Sequence, residues 1–347
     1  MKNNKIKNRL IFFSIFFAVI TLMFISHIRS NYIMELKGCD DGIINLNTSE
    51  NHLIAVTVSK QLYLWDWDNL NQPPQKSSVN AADLLYIGNK KLLWIPSGKP
   101  DTAVISNLKG NEVIKTLLLG DNYRQMKISE SGKFVVFLSL DNTDYSSQVQ
   151  LKMLDVNSYE LIPASISLNN DRIRINNAAI SNDGRFLGLV GSKNNAGWVC
   201  LIDIQNEKIL WQKQVDWSNL LTAVIFSPGE NKIYCSGNGI QVSCFDYSGQ
   251  TIKSWKRSDY EIPPNKTKSM SALAISQNGK LLAAASNPTS EVWMWNTTID
   301  NFKPLVIDVD NTYVTSLAFS PGTDKLTTTS FKVIDKTHIW KLKGISK

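Results

Sequence analysis

The sequence predicts an all-β fold of seven repeated four-stranded units, carried behind one N-terminal transmembrane helix. Three observations carry that prediction. A strand-turn-strand pattern recurs seven times between about residue 40 and the C-terminus. A nineteen-residue stretch without fixed charge, Leu10 to Ile28, follows a basic N-terminus. Hydrophobic residues make up 43% of the 347-residue chain and charged ones 19%, so a large core can be buried and wholesale disorder is excluded.

The apolar stretch reads LIFFSIFFAVITLMFISHI. At about 1.5 Å per residue, a helix of that length spans roughly the 30 Å hydrocarbon layer. Its hydroxyls at Ser14, Thr21 and Ser26 can bond back to their own backbone. Lys2, Lys5, Lys7 and Arg9 precede the run and only Arg29 follows closely. The positive-inside bias therefore makes residues 1–9 a cytoplasmic basic terminus, 10–28 a signal anchor, and 31–347 an extracytoplasmic domain. Two processed forms compete with the anchor. A cleaved signal peptide would use Ile28-Arg29-Ser30, although its apolar core is longer than such peptides carry. A lipoprotein would use Leu36-Lys37-Gly38-Cys39, where Lys37 is out of pattern and Cys39 lies far beyond the run.

Charge placement disposes of a nucleic-acid partner. The formal net charge is +7, yet five of the 37 basic residues fall in the first thirty positions, where no acid occurs. Residues 31–347 are thus nearly neutral, without a bulk drive toward phosphate.

The repeats organise the remainder. Their clearest copies are AISNDGRFLGLVGS from Ala179, VIFSPGENKIYCS from Val224, LAISQNGKLLAAAS from Leu273 and LAFSPGTDKLTTTS from Leu317. MKISESGKFVVFLS from Met126 matches them, and weaker copies start at Ile44 and Leu85. Turn positions near 47, 88, 129, 181, 227, 276 and 320 are spaced by 41 to 52 residues. Alternating apolar residues before each turn read as a first strand. The Ser-x-x-Gly or Ser-Pro-Gly turn offers a side-chain oxygen to the local backbone and a glycine where positive φ is needed. An apolar run such as Phe134-Val135-Val136-Phe137-Leu138 then suits a strand buried on both faces. It closes on a serine at 59, 97, 139, 192, 236, 286 or 330. Third strands end at Leu64-Trp65-Asp66, Leu154-Asp155, Ile202-Asp203, Phe245-Asp246, Met294-Trp295-Asn296 and Ile339-Trp340. Fourth, polar strands are expected at Lys208–Gln212 and Thr251–Trp255, with Trp211 and Trp255 packing between units.

At these residues the chain resembles the WD40-repeat family, whose members are β-propellers with a period of about 40–45 residues. The resemblance covers roughly 31–347 and rests on the Ser-Pro-Gly and Asn-Gly turns and the Leu-Trp-Asp and Met-Trp-Asn strand ends. It implies a seven-bladed, WD40-like β-propeller. The family's buried Asp-His-Ser-Trp network is incomplete in every unit, because only His52 and His338 lie beyond the apolar run. A quinoprotein-like or lactonase-like propeller is the alternative subfamily. The last unit stops after its third strand at Trp340-Lys341-Leu342, and Tyr32 to Leu36 alternates as a strand should. That segment is expected to complete the seventh blade and hide a sheet edge.

Residues for covalent or metal chemistry are scarce. A Ser-His-acid set needs a histidine within reach of the serine, and neither His52, near a turn, nor His338, within a third strand, is placed for it. There is no Cys-x-x-Cys or His-x-x-x-His pattern for zinc. Asp141-Asn142-Thr143-Asp144 lacks the ligand spacing of a calcium loop, and Gly237-Asn238-Gly239 reads as a hairpin turn, not a phosphate cradle. Cys235 and Cys244 would sit about three residues out of register in a hairpin centred near Asn238, against a disulfide. Cys200 reads as a core thiol and Cys39 as an exposed one. No catalytic residue, cofactor or metal is assigned.

A propeller also presents a rim of loops. Loops into each first strand and after each second strand share one face, which collects Tyr123, Arg124, Arg172, Arg174, Trp217 and Tyr313. Tyr, Trp and Arg on one exposed face have the composition of interaction hot spots. The competing reading folds the aromatics, Trp217 above all, back onto neighbouring blades. The expectation is therefore a membrane-anchored, non-catalytic platform for protein partners. The alternative is an envelope enzyme, or a small-ligand or glycan binder, that uses the central channel.

Overall fold

The computed structural model describes residues 32–39, 41–49, 51–120, 123, 125–139, 148–168, 173–229, 231–239, 241–256, 269–287, 291–300, 302–309, 313–330 and 337–342. Every regular element among them is a β-strand, and no helix among them is long and apolar enough to cross a membrane. The stretch 10–28, expected to span the membrane, lies outside the described residues.

The chain begins with β1 (Tyr32–Glu35) and then builds six complete antiparallel sheets. Blade 1 holds β2 (Ile43–Ser49), β3 (His52–Thr57), β4 (Leu62–Asp66) and β5 (Gln75–Lys76). Blade 2 holds β6 (Ala81–Tyr86), β7 (Lys91–Pro96), β8 (Thr102–Asn107) and β9 (Val113–Leu118). Blade 3 holds β10 (Gln125–Ile128), β11 (Phe134–Ser139), β12 (Gln148–Asp155) and β13 (Glu160–Ser167). Blade 4 holds β14 (Ile173–Ile180), β15 (Phe186–Lys193), β16 (Ala196–Asp203) and β17 (Lys208–Val215). Blade 5 holds β18 (Leu221–Phe226), β19 (Lys232–Gly237), β20 (Gln241–Asp246) and β21 (Thr251–Lys256). Blade 6 holds β22 (Ser269–Ile275), β23 (Leu281–Asn287), β24 (Glu291–Asn296) and β25 (Leu305–Asp308). Blade 7 takes β26 (Ser316–Phe319), β27 (Lys325–Thr329) and β28 (His338–Lys341) from the C-terminus and β1 from the N-terminus. The seven first strands line one channel, so the molecule is a seven-bladed β-propeller.

The local reasons for these strands are visible in the turns. Ser129, Ser181, Ser276 and Ser320 each accept a backbone N–H five residues on, at 3.2, 2.9, 2.8 and 3.0 Å. The third residue after the serine adopts a left-handed conformation: Gly132, Gly184 and Gly279 at φ of 70 to 75°. In blade 7 the glycine arrives one residue early, and Thr323 takes the left-handed position at φ 60°. The Asp or Asn ending a third strand also has a job. Its side chain accepts N–H groups of the following turn, as in Asp155 to Asn157 (2.7 Å), Asp246 to Gln250 (2.8 Å) and Asn296 to Thr298 (3.0 Å).

Packing is strictly between blades. Each of seven apolar clusters draws side chains from two neighbouring sheets, and together they go round the ring. Trp255 on β21 illustrates this: its ring lies 6.1 Å from Tyr234 of its own blade and 6.1 Å from Trp295 of blade 6. Trp211 on β17 donates its indole N–H to the carbonyl of Tyr247 in blade 5, at 3.1 Å.

The cysteines require two corrections. Cys235 is opposite Ser243 and Tyr234 is opposite Cys244, so the two thiols are one residue out of register, not three. A one-residue offset sends them to opposite faces of the sheet: Cys235 joins the cluster facing blade 4, Cys244 the one facing blade 6. Cys39 is half-buried, not exposed; its thiol donates to the Asp41 carbonyl at 3.3 Å while the side chain packs on the blade 7–blade 1 cluster. None of the four cysteines is in a disulfide.

Ring closure follows the expected route. Tyr32 is opposite Trp340 and Glu35 opposite His338, and the Leu36 N–H continues the ladder to the Thr337 carbonyl at 2.8 Å. Leu36 itself is 7% exposed, buried in the cluster between blades 7 and 1. A chain starting at residue 38 should therefore unfold at a midpoint at least about 3 °C below one starting at residue 31. Calorimetry of the two fragments checks this, and equal midpoints would deny β1 its closing role.

Candidate functional site

The ring presents two surfaces to ligands: the loop rim on one face and the axial channel. On the rim, Arg174 is the second residue of β14 and is exposed. It is opposite Ser192 in β15, and the next residue, Gly191, lies so close beneath that an added Cβ would overlap the Arg174 carbonyl oxygen. Glycine there is what lets β14 bulge and carry Arg174 outward.

Trp217 is half-buried, in the connection from blade 4 to blade 5. Its loop is clasped from both sides: the Gly197 N–H donates to the Ser218 carbonyl (2.6 Å), and the Asn238 N–H to the Leu220 carbonyl (2.8 Å). The indole packs on the blade 4–blade 5 cluster and also borders a shallow hollow of about 280 Å³ with Asp216, Asn195, Asn219 and Asn238. Both sequence readings of Trp217 are thus partly realised. Tyr313 is 41% exposed and stands beside the buried Val314. Asn287 of blade 6 grips Val314 with two 3.0 Å hydrogen bonds, accepting from its N–H and donating to its carbonyl, and so fixes the loop.

Tyr123 is a correction. It is only 3% exposed, edge-on to Phe137 at 6.3 Å, with the Lys152 ammonium 5.9 Å from its ring centre. Burying an aromatic ring in the blade 2–blade 3 cluster outweighs leaving it on the rim. Arg124 and Arg172 lie outside the described residues, as do the loops 140–147 and 331–336. Arg174, Trp217 and Tyr313 therefore form the described rim, spread over blades 4 to 7.

The channel has a volume of about 1080 Å³. Sequence reading did not single out its charged lining: Lys60, Asp83, Lys91, Lys127, Glu130 and Lys133. Only Asp83 and Lys127 among them carried a signal, a charge on a first strand. Asp83 on β6 is doubly committed, with Oδ1 accepting the Leu84 N–H and Oδ2 the Met126 N–H of blade 3, both at 3.0 Å. Asn177 on β14 repeats this stitch, accepting from the Ala178 N–H and donating to the Thr222 carbonyl of blade 5, both at 2.9 Å. In both strands a bulge precedes the stitching residue.

Burial shifts these groups toward their neutral forms. Desolvation raises the Asp83 carboxyl despite its hydrogen bonds and the nearby ammonium groups of Lys60 and Lys127. Desolvation likewise lowers Lys127, against the pull of Asp83. Glu130, in the turn after β10, is an exposed residue at the channel border, where desolvation by the surrounding protein pushes its carboxyl up to about 8. Neither histidine borders the channel. His52 sits 6.2 Å from the Tyr86 ring, and His338 lies edge-on to Trp340 at 5.8 Å. No group of three His, Cys, Asp or Glu among the described residues is arranged to hold a metal ion.

No family model matches the chain, and no curated protein matches it in sequence. Solved structures do match in fold. The β-propeller domain of Cps50 (Swd1) from Myceliophteria thermophila superposes with a TM-score of 0.66 at 10% identity, over 90% of this chain and 99% of that one. A chain of the mitotic checkpoint complex gives 0.63 at 14% identity, over 89% and 90%. Kuenenia stuttgartiensis hydrazine synthase gives 0.62 at 14%, over 87% and 96%. At these identities the likeness shows the fold, a WD40-like seven-bladed propeller.

The Glu130 shift has a measurable sign. A carboxyl raised from 4.5 to about 8 binds its proton more tightly in the folded chain than in the unfolded one. Its contribution is therefore intact at acid pH and lost as pH rises through that window. Denaturant midpoints of the wild type should fall from pH 5 to pH 9 by more than those of Glu130→Gln, the two curves converging at the acid end.

Proposed function

We propose that the chain is a membrane-anchored, non-catalytic platform for protein partners, with the propeller outside the cytoplasm and the rim around Arg174, Trp217 and Tyr313 as its docking face. One observation carries the reading. Third strands run away from the rim face, and β1 runs antiparallel to β28, with Tyr32 beside Trp340. The chain therefore enters the ring on the face opposite the rim. Only Arg29, Ser30 and Asn31 separate the apolar stretch from β1. That linker reaches at most about 14 Å at 3.3–3.6 Å per residue. An anchor at 10–28 would hold the disc close to the bilayer with its rim turned outward.

The rim chemistry fits protein docking. It offers a guanidinium, a half-exposed indole and a phenol on loops clamped by neighbouring blades, and such pre-ordering reduces the entropy lost on binding. Anchoring adds effective concentration, so modest affinity suffices for a partner in the same membrane. One similar fold was solved inside an assembly, the mitotic checkpoint complex, and another in hydrazine synthase. Fold alone does not choose between binding and catalysis, and the rim and tether geometry are what favour a platform.

Topology is tested with a C-terminal tag and external protease on intact cells and on spheroplasts. Digestion in spheroplasts, with an undigested band of full length, is the expected result; a tag protected until the membrane is opened would overturn the location. For the docking face, Arg174→Ala combined with Tyr313→Ala should lower recovery of a co-purifying protein at least tenfold, given about 1–2 kcal/mol per hot-spot side chain. Unchanged recovery of every co-purifying protein would remove the rim from the proposal.

A further inference from the structure

We propose that the axial channel is a binding site for a small organic anion, its carboxylate or phosphate head held between Lys60 and Lys127 and its apolar body against Leu85, Ile225 and Leu273. The site is independent of the rim and of the anchor.

Two lysines of the channel keep unspent hydrogen-bonding capacity. Lys60 lies in the turn between β3 and β4, where a left-handed backbone at φ 60° sets its side chain at the rim end of the channel. Lys127 lies in the middle of β10, two blades away, and also lines the channel. The carboxylate between them, Asp83, is electrostatically coupled to both. Each of its two oxygens already accepts one N–H, from Leu84 or from Met126, in the stitch of blade 2 to blade 3. Neither ammonium has a hydrogen-bond acceptor among the described residues. A lysine offers three donors, and neither ammonium is sealed off from the channel, so both are open to a ligand. Burial disfavours charge on Lys127, and an anion beside it favours the ammonium form again. An anion that accepts from both ammonium groups is held by charge-assisted hydrogen bonds.

Apolar side chains of the same channel set the rest of the ligand. Leu85 of blade 2, Ile225 of blade 5 and Leu273 of blade 6 line the same channel. Its volume of about 1080 Å³ takes a body of drug-like size, and its lining mixes polar groups with these apolar side chains. Glu130 lies at the far end of the channel, away from Lys60.

Phenyl phosphate, which combines a dianionic head with a small apolar body, is the probe. It is titrated calorimetrically into the full-length chain in nanodiscs of zwitterionic lipid, with empty nanodiscs as blank. Expected is one site per chain, at least tenfold weaker binding of inorganic phosphate, and no binding of benzyltrimethylammonium. Lys127→Met should weaken phenyl phosphate at least tenfold, Lys127→Arg should retain it, and Arg174→Ala on the rim should leave it unchanged. Lys60→Met gives a second removal of charge, with an intermediate loss expected, should Lys127→Met fail to fold. No saturable heat with phenyl phosphate to 10 mM, equal binding of the cation, or unaltered affinity in a folded lysine variant would each overturn the proposal.

Discussion

No blade of this propeller owns a core. Every apolar cluster lies between two sheets, so each blade is stable only while both neighbours are in place. Second and third strands are covered on both faces, which is why β23 is buried at every position and why such segments read as unbroken apolar runs. An open arc would leave two sheet faces wet and two edges unpaired. The pairing of β1 with β28 removes that defect, and both surfaces a ligand can meet owe their geometry to it. A rim is flat, and a channel is round, only when the ring is shut.

First strands carry a second constraint. They face the channel, where apolar packing cannot join one blade to the next, and polar stitches take over. Asp83 and Asn177 perform the same task at equivalent positions, just after a bulge, yet with different consequences. The neutral amide of Asn177 joins blades 4 and 5 and leaves no charge behind. The carboxylate of Asp83 joins blades 2 and 3 and is electrostatically coupled to Lys60 and Lys127. A stitch made with Asn needs no neighbouring cations. The presence of two at blades 1 to 3 gives that part of the channel a charged character that closure alone does not demand.

The repeats, their turns, the inter-blade tryptophans and the closing strand were all legible, because each depends on short-range patterns: period-two alternation, a serine near a left-handed residue, an indole on an outer strand. What escaped depends on contacts that no pattern encodes. Tyr123 precedes a first strand as Tyr313 does, yet it found Phe137 and the blade 2–blade 3 cluster beneath it, while Tyr313 is propped outward by Asn287. The register of Cys235 and Cys244 turned on where the hairpin is centred, a matter of one residue. Thr323 in a left-handed turn shows the same limit: the serine frame of the turn is kept even when its glycine is misplaced. The channel charges were visible as letters but not as a group, since Lys60, Asp83 and Lys127 meet only after three blades assemble.

Closure joins residues that stand about 300 positions apart, which would be slow and entropically costly for a flexible chain. The chain between them is not flexible at that stage. Every other strand pairing lies within a blade, between sequence neighbours, so the sheets can form in order behind β1 and pack into an arc whose last gap is set by rigid neighbours. The entropy of joining the ends then falls to the small freedom of that arc. The same rigidity passes to function. A strand that both seals the ring and brings the chain into it fixes which face the chain enters, so the orientation of the rim relative to that entry is settled by the register of Tyr32 against Trp340, not by a hinge.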